Sequence, residues 1–256
     1  MSLPLPALDA HAHVRTNVPA GDLAGLRAGV FAMTREPAEW DAALERSDSL
    51  SVWGIGAHPA LARGIEAFDG DRFARELNRA HIVGEVGLDG KARVPKEAQQ
   101  RVLDMVLEAV AATPRPVSLH SVAASGEVLA ALRRRPVAAP ILHWWRGSAA
   151  ETEEAVELGC FFSFNGAEAR SPKVLDLVPP ERILTETDFP HSRRSDRAAD
   201  RPAAVQTIEA ALGERWSLDT LGVRRRVWRN LGDLFESCGT AERMPPGFID
   251  ALLTAG

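Results

Sequence analysis

The chain has 256 residues, 45% of them hydrophobic and 25% charged, with a formal net charge of -5. These are ordinary values for a globular protein, and they exclude the broad basic surface of a nucleic-acid coat protein, though a bound metal can supply local positive charge to a nuclease. Cys160 and Cys238 form neither a disulfide framework nor a zinc-ligand pair, and the absence of a signal-like amino terminus or a long apolar run leads us to expect a cytoplasmic protein with no membrane span.

Eight short apolar runs, each bounded by turn residues, predict strands over Leu5–Leu8, Gly29–Met33, Ser51–Ile55, Ile82–Val86, Pro116–Leu119, Pro140–Leu142, Cys160–Phe164 and Arg182–Leu184. Helical patterns lie between them at Glu36–Ser47, Asp71–Ala80, Lys96–Ala112, Gly126–Arg135, Ala149–Leu158 and Lys173–Val178. This regular alternation implies parallel βαβ units, and eight such units in about 250 residues match a (β/α)8 TIM barrel. The tail predicts additional helices at Pro202–Leu212, Ser217–Ser237 and Pro246–Thr254, with Ser217 and Asp219 placed to cap the second. No Ser- or Gly-rich linker divides the chain, so residues 1–256 read as one domain.

The strand ends carry the chemistry. They fall near His11 and His13, Thr34, His58, Glu85, His120, His143, Ser163 with Asn165, and Asp188. In a barrel these ends meet at one mouth, where active sites are built. His11 and His13 are two apart on a strand and so face one point. Asp9 shares that face and is placed to accept a histidine N–H and fix its tautomer. Glu85 sits inside an apolar strand, where a carboxylate is costly unless it is paired or metal-bound. His120 and His143 end consecutive strands in matching positions, and Asp188 follows the last strand, where it could bind metal or take a proton from water. Four imidazoles and two carboxylates suit one or two divalent ions, zinc, manganese or a mixed site, better than calcium. Glu186 shares a strand face with Asp188 and is placed to support a neighbouring strand end. His58 either lines the pocket or makes a structural bond in a tight turn. His81 precedes the fourth strand, at the opposite end of the barrel.

These residues resemble the TatD family of metal-dependent deoxyribonucleases, within the amidohydrolase-like barrels. The resemblance rests on Leu8-Asp9-Ala10-His11-Ala12-His13, Gly54-Ile55-Gly56-Ala57-His58-Pro59, Gly84-Glu85-Val86-Gly87-Leu88-Asp89, His120, His143, Phe162-Ser163-Phe164-Asn165-Gly166, Glu186-Thr187-Asp188-Phe189-Pro190 and Asn230-Leu231-Gly232-Asp233-Leu234-Phe235. It implies hydrolysis dependent on magnesium, manganese or zinc, with His11, His13 and Asp188 holding one ion, His120 and His143 a second, and Glu85 shared between them. It further implies that Asp188 orients or deprotonates the attacking water, and that the substrate is DNA, as single strands or 3′ ends, cleaved in the 3′→5′ direction.

Two departures bear on the substrate. Ser121-Val122 stands where the family has Ser-Arg, and Trp144-Trp145-Arg146-Gly147-Ser148 stands where it has Cys-Phe-Ser-Gly. Arg146, Arg193 and Arg194 are candidates to replace the lost phosphate contact. Trp144 or Trp145 either stacks on a base or packs between the sixth strand and its helix. Two other readings stay open: a metallohydrolase of a small amide, lactone or phosphate ester, and an accessory subunit with protein partners in a multi-gene system such as anti-phage defence.

Overall fold

The computed structural model describes residues 5–168, 173–190 and 201–256. Eight parallel strands run in the order β1 (Ala7–Ala12), β2 (Ala28–Met33), β3 (Ser51–Ile55), β4 (Ile82–Gly87), β5 (Val117–His120), β6 (Pro140–His143), β7 (Phe161–Phe164) and β8 (Ile183–Thr185), each hydrogen-bonded to the next. Every strand residue is buried, as expected where side chains fill a barrel on one face and meet helices on the other.

β8 returns to β1 to close the ring. The Asp188 amide donates to the His11 carbonyl at 2.8 Å and the His13 amide to the Phe189 carbonyl at 2.6 Å. Below them the Thr185 hydroxyl donates to the Leu8 carbonyl at 2.5 Å. Asp9 completes the seam. Its carboxylate accepts from the Thr187 amide and hydroxyl, at 2.8 and 2.6 Å, and from the Ala203 amide at 2.7 Å. Burial pushes its carboxyl up to about 6 even though these donors pull it down. Asp9 is therefore a clasp of the barrel. The expected bond to a histidine ring is absent because the clasp takes both oxygens.

The helices are α1 (Ala20–Gly25), α2 (Trp40–Leu44), α3 (Ala62–Glu66), α4 (Gly70–Glu76), α5 (Lys96–Ala112), α6 (Ser125–Arg134), α7 (Ala149–Glu157), α8 (Gln206–Trp216), α9 (Thr220–Ser237) and α10 (Pro246–Ala255). Their local causes are legible. α5 buries Val102, Leu103, Val106, Leu107 and Val110, a helical stripe. A Ser148–Glu151 capping box starts α7, and the Asp219 side chain accepts from the Gly222 amide to start α9. Ser217, expected to share that role, instead ends α8 in the left-handed conformation.

α9 locks the closing strands. The Asn230 amide group donates to the Pro180 and Ile183 carbonyls at 2.7 and 2.8 Å, and the Trp228 indole donates to the Pro6 carbonyl at 2.8 Å. Asn230, Leu234 and Phe235 are buried, so this part of the sequence pattern serves the scaffold.

Other expectations differ in their bounds: the helix expected over Glu36–Ser47 is regular only at Trp40–Leu44, and the one expected over Pro202–Leu212 runs from Gln206 to Trp216. The first strand begins at Ala7 and runs to Ala12, later than Leu5–Leu8, because pairing with β2 and the β8 seam carries it past Asp9. Lys173–Val178 forms turns in place of a helix.

Candidate metal centre

All six candidate ligands converge at the mouth around one carboxylate. Glu85 is 1% exposed at the end of β4. Its Oε2 lies 2.9 Å from His13 Nε2 and 3.5 Å from His11 Nε2. Asp188 Oδ1 faces the same two nitrogens at 3.8 and 3.7 Å. The other oxygen, Oε1, lies 2.5 Å from His120 Nδ1 and 2.8 Å from His143 Nε2, and these two nitrogens are 3.4 Å apart. One carboxylate thus presents one oxygen to each of two donor sets.

Backbone packing delivers Glu85 to this place. Its amide donates to the Thr34 carbonyl at 3.0 Å. Gly56 passes so close that a Cβ there would meet the Glu85 carbonyl oxygen at 2.4 Å. At Gly87, with φ +142°, a Cβ would meet the His120 carbonyl oxygen at 2.1 Å. Only glycine allows these approaches, which draw β3, β4 and β5 together behind the cluster.

Each histidine has its far nitrogen turned to a different partner. His11 Nδ1 is 2.7 Å from the Ser118 hydroxyl and His13 Nδ1 is 3.2 Å from the Met33 carbonyl. His120 Nε2 faces Asp89 Oδ2 at 3.4 Å, and His143 Nδ1 faces Glu186 Oε1 at 3.9 Å. Glu186 is itself held by the Ser163 hydroxyl and by Asn165 at 3.5 Å. Such partners orient imidazoles for metal binding. The support expected of Glu186 is there. Ser118, Met33 and Asp89 went unrecognised in the sequence, although Asp89 falls inside a motif.

The cluster has the donors of a metal site with an unmet need. His11 Nε2 and Glu85 Oε2, which face each other, are buried without an aligned hydrogen bond, as are the outward His120 Nε2 and His143 Nδ1. Donor atoms of His11, His13 and Glu85, and likewise of His11, His143 and Asp188, lie within 4.8 Å of one another. Unpaired buried polar atoms are costly, and a cation is the partner that this set of nitrogens and oxygens fits.

Electrostatics agree. Burial alone would raise the Glu85 carboxyl, but His58, His143 and His120 hold it well below the usual range. Burial and the neighbouring His143 hold His11 well below its usual value. Burial pushes Asp188 up to about 6, with His143 pulling down and Glu85 and Glu186 pushing up.

His58 is a different kind of participant. Its Nε2 is 3.4 Å from Glu85 Oε2, and it is near enough to group with Glu85 and His120 as a metal-binding set. However, its Nδ1 accepts from the Ala60 amide at 3.1 Å. A neutral ring then carries its proton on Nε2. Burial, with His120, His13 and His143 nearby, lowers its pKa to about 4, so the ring is neutral. His58 meets the cluster as an N–H donor.

A cavity of about 470 Å³ opens from the cluster over the β4, β5 and β6 loops, lined by Lys91, Val122, Trp144 and Arg146 among others. Trp144 is half-buried there, and its indole N–H donates to Glu168 Oε1 at 3.0 Å. The Arg146 Nε is 3.9 Å from the same oxygen. Trp145 points away. It is fully buried, stacks edge-on against Phe162 and donates to the Thr152 hydroxyl at 2.9 Å. The two tryptophans therefore divide the readings, one in the pocket wall and one in the shell. Lys91 was not expected in the pocket. Arg193 and Arg194 lie outside the described residues.

Three comparisons bear on this site. The TatD-related DNase family model matches residues 8–236. A 3′-5′ ssDNA/RNA exonuclease TatD of Klebsiella pneumoniae is 29% identical over 198 residues, covering 71% of this chain and 73% of that protein. In fold, a TatD homologue from Escherichia coli K12 superposes with a TM-score of 0.77 at 21% identity, over 91% of this chain and 98% of the other. A TatD family hydrolase from Entamoeba histolytica gives a TM-score of 0.73 at 14% identity, over 91% and 99%.

Proposed function

We propose, from the premise that this chain belongs to the TatD-related DNase family, that it removes nucleotides from the 3′ ends of single-stranded DNA with one or two divalent ions. The observation that carries the two-ion form is the division of Glu85, whose Oε2 faces His11 and His13 and whose Oε1 faces His120 and His143. His11, His13 and Asp188 with one Glu85 oxygen would hold one ion. His120, His143 and the other oxygen would hold the second. When bound, such ions lower the pKa of water and draw charge from phosphoryl oxygens.

The chain's own residues supply the rest. Asp188, with a carboxyl near 6, is suited to accept the proton of the attacking water around neutral pH. His58 offers its Nε2–H towards a phosphoryl oxygen. Lys91 and Arg146, both exposed at the cavity wall, grip the phosphate next to the scissile one. Trp144 flanks the base. The Klebsiella pneumoniae relative, named for 3′-5′ action on single strands, supports this polarity.

The test is digestion of a 5′-labelled single-stranded oligonucleotide with manganese. Wild type should shorten it stepwise from the 3′ end, while His11→Ala and Glu85→Ala should not. Absence of metal-dependent cleavage of any oligonucleotide sinks the reading. A second reading, hydrolysis of a small ester or lactone, is favoured by Val122, which is 40% exposed in the cavity wall. Turnover of a lactone or phosphotriester panel at rates far above oligonucleotide cleavage would select it.

A further inference from the structure

At the opposite end of the barrel lies a second cavity of about 430 Å³. Its walls come from the loop between α2 and β3, the residue before β4, and the segment that leads into α10. Arg46, Arg79, His81 and Arg243 all line it.

Two of these cations are already neutralised. Arg46 grips Asp48 through Nε at 2.8 Å and Nη2 at 2.7 Å, and Asp48 also accepts from the Trp53 indole at 2.9 Å. The Asp48 charge is thus spent although it faces the cavity. Arg79 pairs with Glu45 at 2.7 Å and Glu76 at 3.0 Å.

His81 and Arg243 have no carboxylate partner among the described residues. The one bond of the Arg243 guanidinium goes to the Asn78 carbonyl at 2.5 Å. Behind them Arg115, 5% exposed, spends Nε on the Ala80 carbonyl and Nη1 on the Pro114 carbonyl, again with no acid. The three groups are close enough to disfavour one another's charge. Burial lowers His81 and Arg115, and Arg243 lowers both further. Gathering like charges without a counter-ion costs free energy, and a concave site focuses their field. Ser47, Ser49 and Ser51 line the same space and add hydroxyl donors.

We infer that this cavity binds a small oxyanion, with a phosphate group seated between Arg243 and His81. The chemistry is shared by inorganic phosphate and by a phosphate ester such as a nucleoside monophosphate. The cavity has room beyond one phosphate, so the ester is a sterically allowed guest.

Calorimetric titration of the full chain tests this, with metal removed by chelation so that no metal ion at the mouth attracts the anion. Inorganic phosphate and a nucleoside 5′-monophosphate are titrated separately at constant ionic strength. Wild type should bind both. Arg243→Ala should weaken each by at least about tenfold, the worth of one charged hydrogen bond. His81→Gln should weaken them less, and Arg101→Ala, on the exposed face of α5, should leave them unchanged. Tighter binding of the monophosphate identifies an ester as the guest; equal binding identifies the free anion. Unaltered binding in Arg243→Ala, an equal loss in Arg101→Ala, or no binding by wild type would each overturn the inference. Arg243 is exposed, so its truncation should not endanger folding, and an unchanged melting temperature in the absence of phosphate checks this.

Discussion

Glu85 and Val122 line the same cavity from neighbouring strands, yet one is 1% exposed and the other 40%. Around Glu85 each of the four histidines has the cluster in front and a polar neighbour behind, Ser118, Met33, Asp89 or Glu186. Around Val122 the wall is a mixture of an apolar side chain, a tryptophan, an exposed lysine and an arginine that is 71% exposed. The first region has strict geometry, and metal chemistry requires it. The second is set by whatever rests against it, and loops can vary without disturbing the barrel. The difference teaches that the wall can change without disturbing the centre it surrounds.

The largest expected effect falls on the first region. Glu85→Ala removes at once both oxygens that face the two histidine pairs, and hydrolysis should drop by at least about a thousandfold, the equivalent of several kcal/mol of transition-state stabilisation. Metal content measured on the purified variant should fall with it. Retention of full metal content and activity would show that the two donor sets do not depend on Glu85. Asp188→Asn should follow, losing roughly a hundred- to ten-thousandfold in kcat, the range for a proton-transfer group. If Asp188 acts as the base, KM should change far less than kcat.

The residues behind the ligands come next. Ser118→Ala leaves His11 Nδ1 without its hydroxyl partner, and Asp89→Asn weakens the hold on His120. Each should cost about 10- to 100-fold in metal affinity or activity. The two variants report on opposite sides of Glu85. Metal titration that shows only one of two binding events weakened in each variant would sharpen the two-ion division. Loss of both events in either variant would break it.

How much of this was legible in the sequence follows from the same contrast. Strand periodicity placed His11, Glu85, His120, His143 and Asp188 at converging ends, because the barrel forces the ends of parallel strands together. What periodicity could not supply was the direction of a side chain past the strand. Asp9 shares a face with the histidines, but its oxygens are taken by Thr187 and Ala203, the latter 194 positions away in sequence. Ser118 is an ordinary strand serine until β5 is seen beside β1 across the barrel. Trp144 and Trp145 are adjacent, and only the positive φ of 40° at Trp144 decides which faces the pocket. Lys91 enters the wall because the Gly90 amide pairs with the Val122 carbonyl at 2.8 Å, a contact between loops that no local pattern encodes.

The smallest effects belong to the second region, and they decide the substrate. Arg146→Ala and Lys91→Ala should each raise KM for an oligonucleotide by roughly three- to tenfold with kcat nearly unchanged, because a neighbouring phosphate is held equally in the ground and transition states. Val122→Arg asks the question in the other direction. The side chain is 40% exposed, so an arginine can extend into the cavity without repacking the core. For a single-stranded substrate the new cation should lower KM a few-fold at low salt, and it should steepen the salt dependence by about 0.7 in the log–log slope, the value for one added phosphate contact. A small neutral ester gains nothing from that charge, and an arginine there narrows its cavity. A lower KM with a steeper salt slope therefore places nucleic acid against this wall. An unchanged slope, with poorer turnover of a small ester, assigns the pocket to a compact substrate.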